Sequence, residues 1–149
     1  MSRRDPLDWA AIQAIGSTLM DSAPHGWTQL RYEYRATIQI DGDRLESVSS
    51  EGLVARISAP FAVMEQLSDL RSAMFVPEVG TWFTARVVID RDGDCQAAFD
   101  YDSEPDFVPP LTPDAYALDF EYFPRSEEHT PPWLQAKLES VSRGADFPY

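Results

Sequence analysis

Four carboxylates alternate with other residues over one short segment of the chain. They are Asp100, Asp102, Glu104 and Asp106, each two positions from the next. Paired carboxylates can exchange protons with a substrate or bind a metal ion. No other catalytic residue type accompanies them, so we predict that they form a solvated anionic rim. Such a rim is either inert or docks on a cationic surface.

The remaining reactive residues predict no catalytic or metal centre. His25 and His129 lie in proline-rich connections without further ligands at metal-binding spacing, whereas zinc needs three or four. Cys95 has no base beside it to lower its pKa, so we interpret it as a buried structural thiol. Phe99 stands where an EF-hand loop needs glutamate, so Asp90–Asp94 predicts a hairpin turn. No glycine-rich phosphate loop is present, and we expect no cofactor.

Apolar periodicity predicts the elements that position these residues. Apolar side chains recur at three- and four-residue steps in the predicted helices, as at Val63, Leu67 and Leu70. They alternate in the predicted strands, most clearly from Leu30 to Ile40. The predicted helices cover residues 7–21, 61–75, 113–122 and 131–142, and the predicted strands cover 30–40, 44–50, 53–57, 82–90 and 95–101.

The order of these elements, α-βββ-α-ββ-α(α), predicts an α+β fold with a mainly antiparallel five-stranded sheet and flanking helices. We expect Asp41–Asp43 to form the first hairpin turn, and Ile38 and Ile40 to share the buried face of the first strand. Phe83 is expected to share one face of the fourth strand with Ala85. No linker or composition shift divides the sequence, so residues 1–149 form a single predicted domain. The last three residues, 147–149, are expected to fray.

The acidic charge is concentrated in one part of the chain. The net charge is −13, and residues 90–128 hold 12 acidic and two basic residues. Such a chain is repelled by phosphate backbones and anionic membranes and attracted by a basic protein. Solubility alone does not require this concentration. The charge therefore favours a protein-binding function over an enzymatic one, with no direct contact to nucleic acid or membrane.

Three aromatic residues near the carboxylates are candidate anchors for a partner, namely Trp82, Tyr101 and Trp133. Core packing is the alternative for each of them. At Pro124–Arg125 the alternatives are a contact surface or a structural corner in which Arg125 pairs with a local carboxylate. The single cysteine and the absence of an apolar leader or a long apolar stretch predict a cytoplasmic protein.

Five pieces of the second half of the chain resemble the YezG-like immunity (antitoxin) family of bacterial polymorphic toxin systems. They are Leu67–Met74; Gly80–Phe83; Val87–Asp90 with Asp92-Gly93; Phe99–Asp102 with Pro105; and Tyr116, Leu118, Phe123–Ser126 and Pro132–Leu134. The resemblance implies a small protein that binds a cognate toxin domain in the producer's cytoplasm and blocks it. Toxins paired with this family are often nucleases, and a nuclease must be basic to hold its substrate.

Two other functions fit parts of the sequence. The order of elements also occurs in type III secretion chaperones, which are small and acidic, and a chaperone should dimerise and hold an extended segment. A hydrolase that uses the carboxylate cluster is the third hypothesis, and it requires a metal-dependent activity. The oligomeric state stays open at this stage, as does the toxin's chemistry.

Overall fold

A five-stranded antiparallel sheet in the order β3-β2-β1-β4-β5 forms the frame of the molecule. The computed structural model describes residues 6–145 and, of their side chains, those of residues 9–142. The strands are β1 (Trp27–Ala36), β2 (Asp41–Ser49), β3 (Val54–Ile57), β4 (Thr84–Asp90) and β5 (Cys95–Asp100), and the helices are α1 (Pro6–Asp21), α2 (Phe61–Ala73), α3 (Pro113–Tyr122) and α4 (Pro132–Ala145). The α+β prediction is confirmed. A short 3₁₀ turn at Glu127–His129 is an addition to it.

One face of the sheet carries the main core. Helices α1 and α2 pack against it, and their apolar stripes, such as Ile12 with Ile15 and Val63 with Leu67, are buried there. A second, smaller cluster joins α3 and α4 to the start of β4 through Phe83, with Tyr116 and Leu134 as its other buried members. The opposite face of the sheet presents polar residues to solvent, as antiparallel sheets commonly do.

The first hairpin differs from its prediction. Strand β1 ends at Ala36, so Ile38 and Ile40 leave the sheet and are each 37% exposed. The turn is closed by the Thr37 N–H, which donates to the Ile40 carbonyl at 2.8 Å. The carboxylate of Asp119, distant in sequence, accepts the Ile38 N–H at 2.7 Å. The residues predicted as the turn, Asp41–Asp43, are therefore the first residues of β2.

The start of the fourth strand also differs from its prediction. Because β4 begins at Thr84, the alternation of Ala85, Val87 and Ile89 does not extend back to Phe83. Trp82 occupies the main core instead, with its ring centroid 5.3 Å from that of Phe99. Phe83 belongs to the second cluster.

The prediction of a buried thiol at Cys95 is confirmed. Its side chain packs against α1, where an added Cβ on Gly16 would lie 3.2 Å from the Cys95 Sγ. Burial raises the pKa of Cys95, and Asp94 adds to the effect. A thiol in this setting is a poor nucleophile.

The turn predicted at Asp90–Asp94 is likewise confirmed, with the Gly93 N–H donating to the Asp90 carbonyl at 2.8 Å. Residues 147–149, predicted to fray, lie outside the described range. Within residues 6–145 no helix combines the length and the apolar character that crossing a bilayer requires.

Candidate functional site

The four alternating carboxylates lie where the chain leaves β5, on a segment that we call the acidic arc (residues 100–106). Asp100 begins it and accepts the backbone N–H groups of Asp102 at 3.1 Å and Ser103 at 3.0 Å. Partial burial acts to raise the pKa of Asp100, but these hydrogen bonds outweigh it and the pKa is lowered. Asp100 is therefore an ionised acceptor that shapes the turn.

The other three carboxylates of the acidic arc are turned to solvent. The side chain of Asp102 is 85% exposed, and its Oδ1 lies 4.0 Å from Arg125 Nη1. Glu104 lies 3.6 Å from Lys137 Nζ, and Asp106 is exposed. Among residues 9–142 no three His, Cys, Asp or Glu side chains come together as a metal site. The geometry thus presents separate charges and gives the hydrolase hypothesis no converging ligand set.

Buried Arg125 holds the acidic arc against the rest of the molecule. Its guanidinium donates to the carbonyls of Tyr101 at 2.7 Å, Thr81 at 2.9 Å and His129 at 3.0 Å. The structural corner predicted for Arg125 is observed, but backbone carbonyls hold the guanidinium more closely than the nearest carboxylate, Asp102 at 4.0 Å. Because three chain segments share one cation, the position of the arc is coupled to the start of β4 and to the connection before α4.

The three candidate anchors occupy different environments. Trp82 has no exposed surface, so its prediction as a partner contact is wrong and core packing is its role. Trp133 is half-buried and donates Nε1–H to the Asp102 carbonyl at 2.6 Å. Its ring packs edge-to-face with that of Tyr116, with the ring centroids 5.3 Å apart. Tyr101 is half-buried against the main core. Trp133 and Tyr101 therefore support the arc and expose only part of their rings.

A buried ion pair behind this region was not predicted from the sequence. Arg71 of α2 binds Asp119 of α3 through two parallel contacts of 2.8 and 2.9 Å, and its Nε donates to the Trp82 carbonyl at 2.6 Å. The guanidinium also lies 5.1 Å from the ring centroid of Phe123. A signal did exist, because Arg71 falls four residues after Leu67 on the apolar stripe of α2. The pair ties both helices to the end of the sheet.

Burial of these charges leaves the outer surface of residues 90–128 almost purely anionic. Asp119 and Arg125 are interior, at 3% and 8% exposure. Arg91, on the β4–β5 turn, is then the basic side chain left outside in this stretch. The exposed carboxylates beyond the acidic arc are Asp92, Asp94, Asp114, Glu121, Glu127 and Glu128. A basic protein that approaches this part of the surface is therefore attracted to it.

Tyr116 gives a test of the packing under the arc. Its Oη is buried without a hydrogen-bond partner among the described residues, and burial, with Glu104 and Asp119, raises its pKa to about 12. A raised folded-state pKa adds stability below the unfolded value near 10, and that stability is lost as pH rises towards 12. We expect Tyr116→Phe to match the parent chain or exceed it by up to about 1 kcal/mol at pH 7, and to lose less stability above pH 10.

Urea unfolding at several pH values measures both effects. Tyr122→Phe is the matched control, because that ring is 61% exposed. A Tyr116→Phe protein that is clearly destabilised at pH 7 would show that the hydroxyl has a partner after all.

No protein-family model matches the chain, and no curated protein matches it. The resemblance to the YezG-like family therefore stays a prediction from the sequence. The acidic arc, its internal supports and the surrounding charge are the features that bear on function.

Proposed function

We propose that this protein is an immunity protein, which binds a basic cognate toxin domain, in particular a nuclease, in the cytoplasm of the producing cell and neutralises it. The observation that carries the proposal is the acidic arc. Its three solvent-facing carboxylates, Asp102, Glu104 and Asp106, stand on a fixed support within residues 90–128, where Arg91 is the one exposed basic side chain. The resemblance to the YezG-like family points to the same function.

The charge arrangement suits inhibition of a nuclease. A nuclease surface must attract a phosphate backbone, so it presents lysine and arginine along a groove. An acidic inhibitor gains fast, electrostatically steered association with that groove and competes for the same cations. A positioned arc also loses less conformational entropy on binding than a flexible acidic loop does. Arg125 and Trp133 supply that positioning through the carbonyls of Tyr101 and Asp102.

We further propose that the protein acts by binding alone, without catalysis and without a cofactor. The two most buried cations are occupied, since Arg71 pairs with Asp119 and Arg125 is shared among three carbonyls. Cys95 is buried and its pKa is raised. None of these groups is poised to attack or protonate a substrate.

The proposal predicts that a gene for a secreted toxin adjoins the gene for this chain. Expression of that toxin's C-terminal domain, with and without this chain, tests the proposal through cell survival and co-purification. With the complex in hand, we expect Asp102→Asn/Glu104→Gln/Asp106→Asn to slow association by roughly 10-fold at low salt. Asp100 is left unchanged because it shapes the turn. Stopped-flow or surface plasmon resonance gives the association rate directly.

The matched control is Asp21→Asn/Glu51→Gln/Glu65→Gln, which removes the same charge from exposed sites outside the acidic arc. We expect it to change the rate by less than about 3-fold, through net charge alone. Equal slowing by both triple variants would assign the effect to overall charge and remove the arc from the interface. Toxicity without rescue would reject the immunity function.

The order of elements favours one alternative, an acidic secretion chaperone. The elements follow in the order that also occurs in type III secretion chaperones. They are helix α1, the meander β1–β3, helix α2 and the hairpin β4–β5. Light scattering after size-exclusion chromatography separates the two functions. A dimer that retains an extended, unfolded segment supports the chaperone, whereas a monomer that caps a folded toxin supports the immunity protein.

A further inference from the structure

The solvent-facing side of the sheet carries more basic than acidic side chains, whereas the molecule as a whole is acidic. Of the nine basic side chains among residues 9–142, five lie on this face, in a chain whose net charge is −13. We call this surface the arginine face; its members are Arg31, Arg35, Arg44, Arg56 and Arg86. The carboxylates on the same face of the sheet are Glu33, Glu46, Asp90 and Asp100.

The strand register arranges these charges in two rows. In one row Glu46 of β2 lies between Arg31 of β1 and Arg56 of β3. In the next row Glu33 of β1 lies between Arg44 of β2 and Arg86 of β4. Two strand spacings separate the arginines of each row, about 9.6 Å. Each row thus carries two cations for one anion.

Three of these arginines have no carboxylate partner among the described residues, and one of the three, Arg31, donates its Nε–H to Gln29 Oε1 at 2.9 Å. Arg86 pairs with Glu33 at 3.2 Å, and Arg35 with the same carboxylate at 3.1 Å. Arg31, Arg44 and Arg56 are exposed and have no carboxylate within 4.0 Å in the described part of the chain. A groove of about 220 Å³ runs between Arg31, Arg44 and Arg86, with Val88 among its lining residues. Exposed guanidinium groups that keep free N–H donors around a groove are suited to bind oxyanions.

We propose that the arginine face is a second binding surface, and that it takes a carboxylate-rich segment of a partner protein. The charge complementarity of the two rows is the reason, because each has one cation more than its own glutamate neutralises. This surface adjoins the acidic arc, since Arg86 Nη1 lies 4.0 Å from Asp100 and Arg35 lies 5.5 Å from the ring centroid of Phe107. The proposal goes beyond the toxin-binding function and does not depend on it.

A protein segment fits this surface better than a nucleic acid. A phosphate backbone carries a charge on every nucleotide and would bring some of them against Glu33 and Glu46. The net charge of −13 repels both ligands at long range, but it repels a nucleic acid more strongly than a segment whose carboxylates are separated by neutral residues. An extended peptide turns alternate side chains to opposite sides, so a segment with carboxylates at every second position presents them to the arginines and turns its neutral residues away.

Titration with a labelled peptide that alternates glutamate and serine tests the proposal. At low ionic strength we expect saturable binding in fluorescence anisotropy, and ¹⁵N chemical-shift changes at the amides of Arg31, Arg44 and Arg86. The variant Arg31→Gln/Arg44→Gln should weaken this binding about 10-fold, since two desolvated charge contacts are lost. Both side chains are exposed, so the variant is expected to fold.

The control variant Gln13→Glu/Gln135→Glu lowers the net charge by the same two units at exposed sites on α1 and α4. It should weaken peptide binding by less than about 3-fold. Absence of binding to the parent chain, or equal weakening by both variants, would overturn the proposal. Tighter binding of a single-stranded oligonucleotide than of the peptide would overturn it in favour of a nucleic-acid surface.

Discussion

Replacing Asp119 with leucine is expected to lower the free energy of unfolding by about 3–5 kcal/mol. The substitution leaves the Arg71 guanidinium buried at 3% side-chain exposure without its counter-ion. It also removes the acceptor of the Ile38 N–H, which anchors the first hairpin turn to α3. Guanidinium chloride unfolding followed by tryptophan fluorescence measures the change, with Trp82 as a reporter within the affected region.

A double variant separates the ion pair from simple packing. Arg71→Met/Asp119→Leu removes both charges, so we expect it to be more stable than Asp119→Leu alone by at least about 2 kcal/mol. Recovery stays incomplete because the Trp82 carbonyl loses its donor and the Ile38 N–H its acceptor. Arg86→Gln, at an exposed ion pair, is the control and should cost less than about 1 kcal/mol. Strictly additive losses in the double variant would contradict the coupling.

Gly80→Ala is expected to destabilise the fold by about 3 kcal/mol. Gly80 has φ +92, which side chains other than glycine rarely adopt, and an added Cβ would lie 2.7 Å from the Cγ and Nε of Arg125. Arg125 cannot yield without releasing the carbonyls of Thr81 and Tyr101. We therefore expect the acidic arc to loosen in this variant, with faster amide hydrogen exchange over residues 101–104.

Gly52→Ala is the matched control for this substitution. Gly52 has φ +84, but nothing lies within 4 Å of its added Cβ, so the variant meets the backbone strain alone. The difference between the two losses measures the contact with Arg125. Equal losses, with unchanged hydrogen exchange in the acidic arc, would show that Arg125 adapts and that the arc is held by other contacts.

The parts of the fold that sequence predicts well are those decided by neighbours in the chain. The apolar stripe Val63–Leu67–Leu70 is sufficient to define α2, and Asp92-Gly93 is sufficient to define the β4–β5 hairpin. The first hairpin is different because Ile38 and Ile40 continue the alternation of β1. The strand ends before them through a hydrogen bond to Asp119, 81 residues away in sequence. Local periodicity carries no trace of that contact.

In the candidate site, too, the sequence predicts the local pattern but not the long-range contacts. The alternation of Asp102, Glu104 and Asp106 is visible in the sequence, and the structure does place these carboxylates in solvent. What supports them is long-range, since Arg125 reaches Thr81, 44 residues away, and Trp133 reaches Asp102, 31 residues away. Trp82 lies in the main core and Phe83 in the second cluster because β4 begins at Thr84, two residues later than predicted. Composition indicates an aromatic core here but not which ring faces which cluster.

Because β1 lies at the centre of the sheet, its two edges are paired at different times during synthesis. One edge of β1 pairs with β2, its immediate successor, whereas the other pairs with β4, as at Leu30 with Ile89. During synthesis the meander β1–β3 can close while that second edge is still bare. At 5–20 residues per second the ribosome needs roughly 2–10 s to reach β4 after finishing β1. During that interval the edge of β1 at Tyr32 and Tyr34 has no partner strand. We therefore expect nascent chains on the same polysome to be prone to incorrect strand pairing at this edge.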